Sequence, residues 1–263
     1  MKTTQNSSLT DKTPILEEAS NRYVGRRFLM KVWGPYACFT RPEFKTNRVS
    51  YDVMTPAAAR GIITAIYWHP GVEYVIDRIW IAKPIRYVNI TKNEYKKPGS
   101  MAKAKKQFEQ VIHTPSEAYY ETRQSLESLP RSNAILKDVC YYIEFHMELN
   151  EAMDWQTDAV QTEADFFGKH MSILRKRMKR GGCYHRPYFG MREYPAYFEP
   201  ADKPPEPIPE FRGTRSFGYM LGDMDYTEIY QPGRKKPVSP KPMFFLSEVI
   251  DGCMTIPREV RKW

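Results

Sequence analysis

Residues 137–149, KDVCYYIEFHMEL, alternate cleanly between two faces. Val139, Tyr141, Ile143, Phe145, Met147 and Leu149 fall on one face; Cys140, Tyr142, Glu144, His146 and Glu148 fall on the other. Successive side chains of a strand point to opposite sides, so this period predicts a strand with one face in the core and one outside it. Upstream, RRFLMKVWG (26–34) reads the same way, with Phe28, Met30 and Val32 opposite Leu29 and Lys31. EYVIDRIWIAKP (73–84) and IRYVNITKNEY (85–95) are two further strand-like runs.

Two helices interrupt these strands. Thr55 is suited to cap the first, Pro56 fits its first turn, and AAARGIITAIYW continues it with Ile62, Ile63 and Ile66 at helical spacing. It should stop near His69-Pro70, because a residue before proline disfavours helical geometry. Residues 161–180 predict the second helix, with Phe166, Phe167, Ile173, Leu174 and Met178 as its core stripe and Gly181-Gly182 as its end. The order strand, helix, strand, strand, strand, helix fits an α+β, ferredoxin-like (RRM-like) domain with two helices on one face of the sheet. Beyond Tyr184 the chain becomes strands and turns, including Asp251-Gly252, a pair suited to a type I′ hairpin turn. The expected organisation is a flexible arm (1–22), the ferredoxin-like domain (23–183) with a basic excursion at about 96–125, and a small antiparallel β subdomain (184–263).

Composition narrows the function. The 263 residues carry 40 Lys+Arg against 31 Asp+Glu, a net charge of +9, and 41% are hydrophobic, which excludes a wholly disordered chain. No run approaches the roughly 18 apolar residues that span a bilayer, and the polar first 20 residues lack a secretory h-region, so a cytoplasmic location is expected. The four cysteines are scattered without a CxxC, which argues against a disulfide framework or a cysteine zinc site. No metal site and no cofactor are expected. Positive charge is concentrated: residues 83–106 carry +7 and residues 169–192 carry +8, which leaves −6 for the remainder. Both stretches are interleaved with aromatic residues or His, a pattern suited to single-stranded nucleic acid, where phosphates pair with cations and bases stack.

Three longer stretches resemble one family. They are MKVWGPYACFTRPEFKTNRVSYDVMTPAAARGIITAIYWHP, LKDVCYYIEFHMEL and FGKHMSILRKRMKRGGCYHRPYFGMREYPAYFE. The family is the CRISPR-associated Cas-five family, subtype I-C (Dvulg type), of the RAMP superfamily, and the resemblance runs from about residue 26 to 226. It implies a ferredoxin-like domain followed by a small β-domain. It also implies a metal-independent endoribonuclease that processes CRISPR precursor RNA and then holds the 5′ handle of the mature guide RNA within Cascade. The implied partners are these RNAs, the backbone and large subunits of Cascade, and target DNA through the complex. The alternative is a non-catalytic subunit that caps the handle; a generic RRM-like RNA binder would leave these motifs unexplained.

The site follows from the same resemblance. The family pattern has a Tyr at the end of the first helix and a Lys-His pair ahead of the later strand. The Tyr falls on Tyr67 and the Lys on Lys137, while Asp138 stands where the pattern has His. RNA cleavage by the 2′-OH needs a base, an acid and cationic stabilisation of the phosphorane. An Asp with a pKa of about 3.9 is a poor acid at neutral pH, so His69, two residues past Tyr67, is the next candidate. If Tyr67 and Lys137 flank one phosphate, they should lie close together. The RNA-binding candidates are Arg41, Lys45 and Arg48 in the loop before the first helix, Arg131 ahead of the later strand, and Lys169, Arg175, Arg177, Lys179 and Arg180 along the second helix.

Overall fold

The computed structural model describes residues 27–44, 46–95, 128–150, 160, 162–225 and 240–260, with five helical residues between 102 and 109. The expected arm (1–22), most of the excursion and Lys45 lie outside the described residues. β1 (Phe28–Ala37) leads to α1 (Pro56–Ile66), β2 (Val72–Ile81), β3 (Tyr87–Tyr95) and the 22-residue β4 (Ser128–Leu149). α2 (Glu163–Arg180) and β5 (Tyr197–Pro200) follow, then β6 (Thr214–Asp225), β7 (Lys241–Ile250) and β8 (Cys253–Thr255).

All eight strands join one sheet in the order β5-β1-β4-β2-β8-β7-β6, with β3 paired to β4 off that path. The first four of that order, with α1 and α2 as crossovers, are the split βαβ arrangement of a ferredoxin-like fold. The fourth strand of that motif is β5, beyond the expected boundary at 183. The expected ferredoxin-like class holds, and the run 85–95 finds its place outside the motif. β3 pairs only with residues 128–136 of β4, making a two-stranded ribbon ahead of the strand's core half.

The alternation in β4 has its expected effect. Val139, Tyr141, Ile143, Phe145 and Met147 are buried, and they pack with Phe28, Met30 and Val32 of β1 against Ile62, Ile63 and Ile66 of α1 and Phe166, Phe167, Leu174 and Met178 of α2. Thr55 caps α1, its hydroxyl accepting from the Ala58 N–H at 3.3 Å, and Pro56 opens the helix. α1 ends at Ile66, earlier than expected, because Tyr67 is already extended (φ −149°). α2 starts after Thr162, which accepts from the Asp165 N–H, and stops at left-handed Gly181. At the β7–β8 turn both Asp251 (φ 48°) and Gly252 (φ 76°) are left-handed, as a type I′ turn requires. No helix among the described residues is long and apolar enough to cross a membrane.

Candidate active site

The extended backbone at Tyr67 carries its ring off the end of α1 and onto α2. There the Tyr67 hydroxyl lies 2.6 Å from His170 Nδ1, with the two rings stacked at 5.8 Å. His170 is on the core face of α2, in the i, i+4 row Phe166, His170, Leu174, Met178, and is 1% exposed. The His69 ring packs 4.2 Å from His170 and 5.6 Å from Phe166. His69 Nδ1 accepts the Gly71 N–H at 3.1 Å, so the neutral His69 ring carries its proton on Nε2. Arg177, one turn before the end of α2, covers the Tyr67 ring at 4.9 Å and donates to the Ile66 carbonyl at 2.7 Å. Lys169 is exposed next to His170, and Trp68, between Tyr67 and His69, is 62% exposed.

These groups supply the parts of a 2′-OH displacement. They provide a hydroxyl held by a buried imidazole, a second imidazole nearer the surface, cations for phosphorane charge, and an aromatic plate on which a base can stack. The sequence candidates Tyr67, His69 and Arg177 therefore meet in one place, with Lys169 exposed on the same turn of α2 as His170. Trp68 was not among those candidates, and His170 was one of five histidines (69, 113, 146, 170 and 185) open to the role of Asp138, set behind His69 because His69 is closer to Tyr67 in sequence. The signal for His170 was present in the sequence, since Lys169-His170 is the only Lys-His pair in the chain and position 170 continues the spacing of Phe166 and Leu174.

Lys137 does not meet them, and here the sequence expectation is corrected. α1 ends beside the start of β2, where Val72 pairs with Leu149. Lys137 pairs with Tyr36 twelve residues earlier on β4, about 40 Å away along an extended strand. The right-handed crossover brings the end of α1 to the far end of β4, not to its 137 end. Lys137 and Asp138 are exposed, Asp138 has φ 56°, and its carboxylate accepts from Lys83 Nζ at 2.6 Å. That contact, with Lys83, Arg86 and Lys137 charges around it, holds the Asp138 carboxyl below the usual range.

The remaining cations divide between two places. Arg175 lies over the Phe28 ring at 5.6 Å, while Lys179 and Arg180 are exposed in the last turn of α2. Arg41 pairs with Asp52 at 3.1 Å and covers the Tyr51 ring. The Arg48 backbone is tied to Asn133, two residues from Arg131. Arg48 and Arg131 thus belong to the β3–β4 ribbon, and Tyr87 of β3 shares Asp52 with Arg41. Among the described residues no group of three or more His, Cys, Asp or Glu is arranged to hold a metal ion.

Comparison with known proteins supplies the family. The sequence model of the family described as CRISPR-associated protein (Cas_Cas5) matches residues 28–257. A Mannheimia succiniciproducens protein named CRISPR pre-crRNA endoribonuclease Cas5d is 35% identical over 245 residues, covering 89% of this chain and 96% of that protein. A Thermus thermophilus protein of the same name is 34% identical over 244 residues, covering 89% and 92%. Among solved structures, a functionally uncharacterized Streptococcus mutans protein superposes with a TM-score of 0.60 at 21% identity, covering 91% of this chain and 96% of that one, and so shares the fold.

Proposed function

Because this chain belongs to the CRISPR-associated Cas5 family, in its Cas5d type, we propose that it is a metal-independent endoribonuclease of CRISPR precursor RNA that keeps hold of the guide RNA it releases. The relatives' names supply the activity class. The observation that carries it is the 2.6 Å contact between Tyr67 and His170, the latter half of the chain's only Lys-His pair. It replaces the pairing of Tyr67 with Lys137.

In this reading the ribose 2′-OH attacks the adjacent phosphorus and the bond to the 5′-oxygen breaks, leaving a 2′,3′-cyclic phosphate and a 5′-hydroxyl. The Tyr67 oxygen takes the 2′-OH proton as its own hydroxyl proton passes to His170 Nδ1, 2.6 Å away and too buried to reach RNA itself. The His69 Nε2–H donates a hydrogen bond to the departing 5′-oxygen, which takes up its proton from solvent. Lys169 and Arg177 stabilise the phosphorane, and Trp68 stacks on a flanking base. The exposed cations of α2 and the half-buried Arg41, Arg48 and Arg131 at the β3–β4 ribbon bind the RNA backbone. The protein then stays on the 5′ handle within a Cascade-type complex in the cytoplasm, in contact with its backbone and large subunits and, through them, with target DNA.

One observation favours a second reading. Tyr67 is 7% exposed and His170 1%, which suits a structural pair in a subunit that caps the handle without cutting. Incubating the purified protein with its own repeat RNA in EDTA separates the two readings. Discrete cleavage with a 2′,3′-cyclic phosphate is the expected outcome, whereas tight binding without products would replace the nuclease by the cap.

A further inference from the structure

The face of the sheet turned away from α1 and α2 carries a set of aromatic and basic groups that the reaction above does not use. On β1 the core residues are Met30 and Val32, so Lys31 and Trp33 point to the other side. Pairing aligns them with neighbours on the same face: Trp33 lies opposite Tyr197 of β5 and Cys140 of β4, and Lys31 opposite Tyr142 of β4. The Trp33 and Tyr197 rings stack at 6.1 Å. Lys31 covers the Trp33 ring at 4.9 Å and Arg186 covers the Tyr197 ring at 5.5 Å, so a cation flanks each side of the pair. Tyr197 is 44% exposed and Tyr142 is half-buried.

The Lys137 end of this face is mainly positive. The Cys140 thiol lies within electrostatic reach of Lys31, Lys83, Asp138 and Glu199, so these groups border one surface. Arg86 and Lys137 adjoin it around Asp138. Farther along the same face Arg78 pairs with Glu144, and His146 bonds Asp77 and Glu148, whereas at the Lys137 end five cations (Lys31, Lys83, Arg86, Lys137 and Arg186) stand against two carboxylates, Glu199 and Asp138. Both carboxylates sit in exposed ion pairs, Lys31–Glu199 at 2.8 Å and Lys83–Asp138 at 2.6 Å, and such pairs are weak enough for a phosphate to replace the carboxylate.

We propose that this helix-free face is a second binding surface for single-stranded RNA, with bases stacking on the Trp33–Tyr197 pair and phosphates held by the cations around it. The chemistry of the surface selects the ligand. Central-strand aromatics on the open side of a four-stranded sheet, bordered by Lys and Arg, suit unpaired bases on a phosphate chain. The surface lies on the opposite side of the sheet from Tyr67 and toward the Lys137 end. It therefore takes a part of the RNA other than the scissile step. The proposal rests on the reading that the chain handles RNA.

The test uses the full chain and a fluorescently labelled oligouridylate 12-mer, which has no hairpin, with binding read by anisotropy. Tyr197→Ala combined with Arg186→Ala should weaken binding about tenfold or more, whereas Tyr197→Phe should stay within twofold of wild type. Both side chains are exposed, so each variant should fold, and its melting temperature checks this. Repeat-RNA cleavage in EDTA by the Ala variant should match wild type, because neither residue lies at Tyr67. Unchanged oligouridylate affinity in the folded Ala variant would overturn the proposal and leave the nuclease reading standing. Wild-type protein that binds the repeat but not the oligouridylate would do the same. Wild-type protein that binds neither RNA would overturn both.

Discussion

The contact between Tyr67 and His170 joins groups 103 positions apart in sequence, and its chemistry can be isolated. If His170 acts only through the Tyr67 hydroxyl, Tyr67→Phe and His170→Ala remove the same contribution, and the double variant should lose no more than the worse single one. Each should slow single-turnover cleavage by about 10²–10⁴-fold with repeat-RNA affinity nearly intact. Additive losses would mean that His170 acts independently of Tyr67. Lys137→Ala should cleave within a few-fold of wild type, since its side chain lies at the other end of β4; a loss comparable with that of His170→Ala would restore Lys137 to the site. Tyr67 was legible through the family resemblance, and His69 through its place two residues past Tyr67 at the helix end. His170, one of five candidate histidines, was set behind His69 because nearness to Tyr67 was judged along the chain, and a contact spanning 103 positions is not visible there.

α2 serves two purposes along its length, and its exposed cations can be separated from its packed ones. Arg177 is tied to Ile66 and Tyr67, and Arg175 lies over Phe28, so replacing either disturbs packing as well as charge. Lys176, Lys179 and Arg180 are exposed. Replacing these three with Ala should flatten the slope of log affinity against log salt by about 2 for single-stranded RNA, at roughly 0.7 per phosphate contact. An unchanged slope would show that this face of α2 is simply solvated. The last two also favour the helix end electrostatically, so a small loss of stability should accompany the change. The core half of β4 was legible because one face is buried and the pattern repeats every second residue. Its first half, SLPRSNAIL, was not, because Pro130 and Asn133 read as turn residues, although Asn133 is buried and accepts the Arg48 N–H and Ile135 and Leu136 join the core. The DG turn between β7 and β8 was legible because its chemistry is local.

Two buried polar contacts join the ferredoxin-like unit to the C-terminal strands, and both tie the stability of the whole molecule to pH. Near one, His146 of β4 bonds Asp77 of β2 at 2.7 Å and Glu148 at 3.1 Å, with Arg27 3.8 Å from Asp77. The Asp77 carbonyl in turn accepts the Ile256 N–H from the segment after β8. Burial by itself would lower the His146 pKa, but its two carboxylate partners outweigh that and raise it from 6.5 to about 9. At the other, Arg60 of α1 meets Asp223 of β6 at 2.6 Å, and burial, outweighing Arg60, raises the Asp223 carboxyl to about 6. In each case the folded state holds its proton more tightly than the unfolded chain, so stability falls as pH rises through the interval between the two pKa values. For His146 the contribution is complete below pH 6.5 and is lost as pH rises through 9; for Asp223 it is complete below 3.8 and lost through 6. Among the described residues only His146 is in its interval between pH 6.5 and 8.5, and the thiols Cys38, Cys140 and Cys253, raised by burial, add a loss of the same sign only near and above pH 9. Over those two pH units the loss should be on the order of 2–3 kcal/mol, a fall of roughly 5–10 °C in melting temperature. His146→Gln keeps hydrogen-bonding capacity without the titration, so its melting temperature should be nearly flat across the same range. A variant whose melting temperature still falls as steeply as wild type would place the pH dependence in another group.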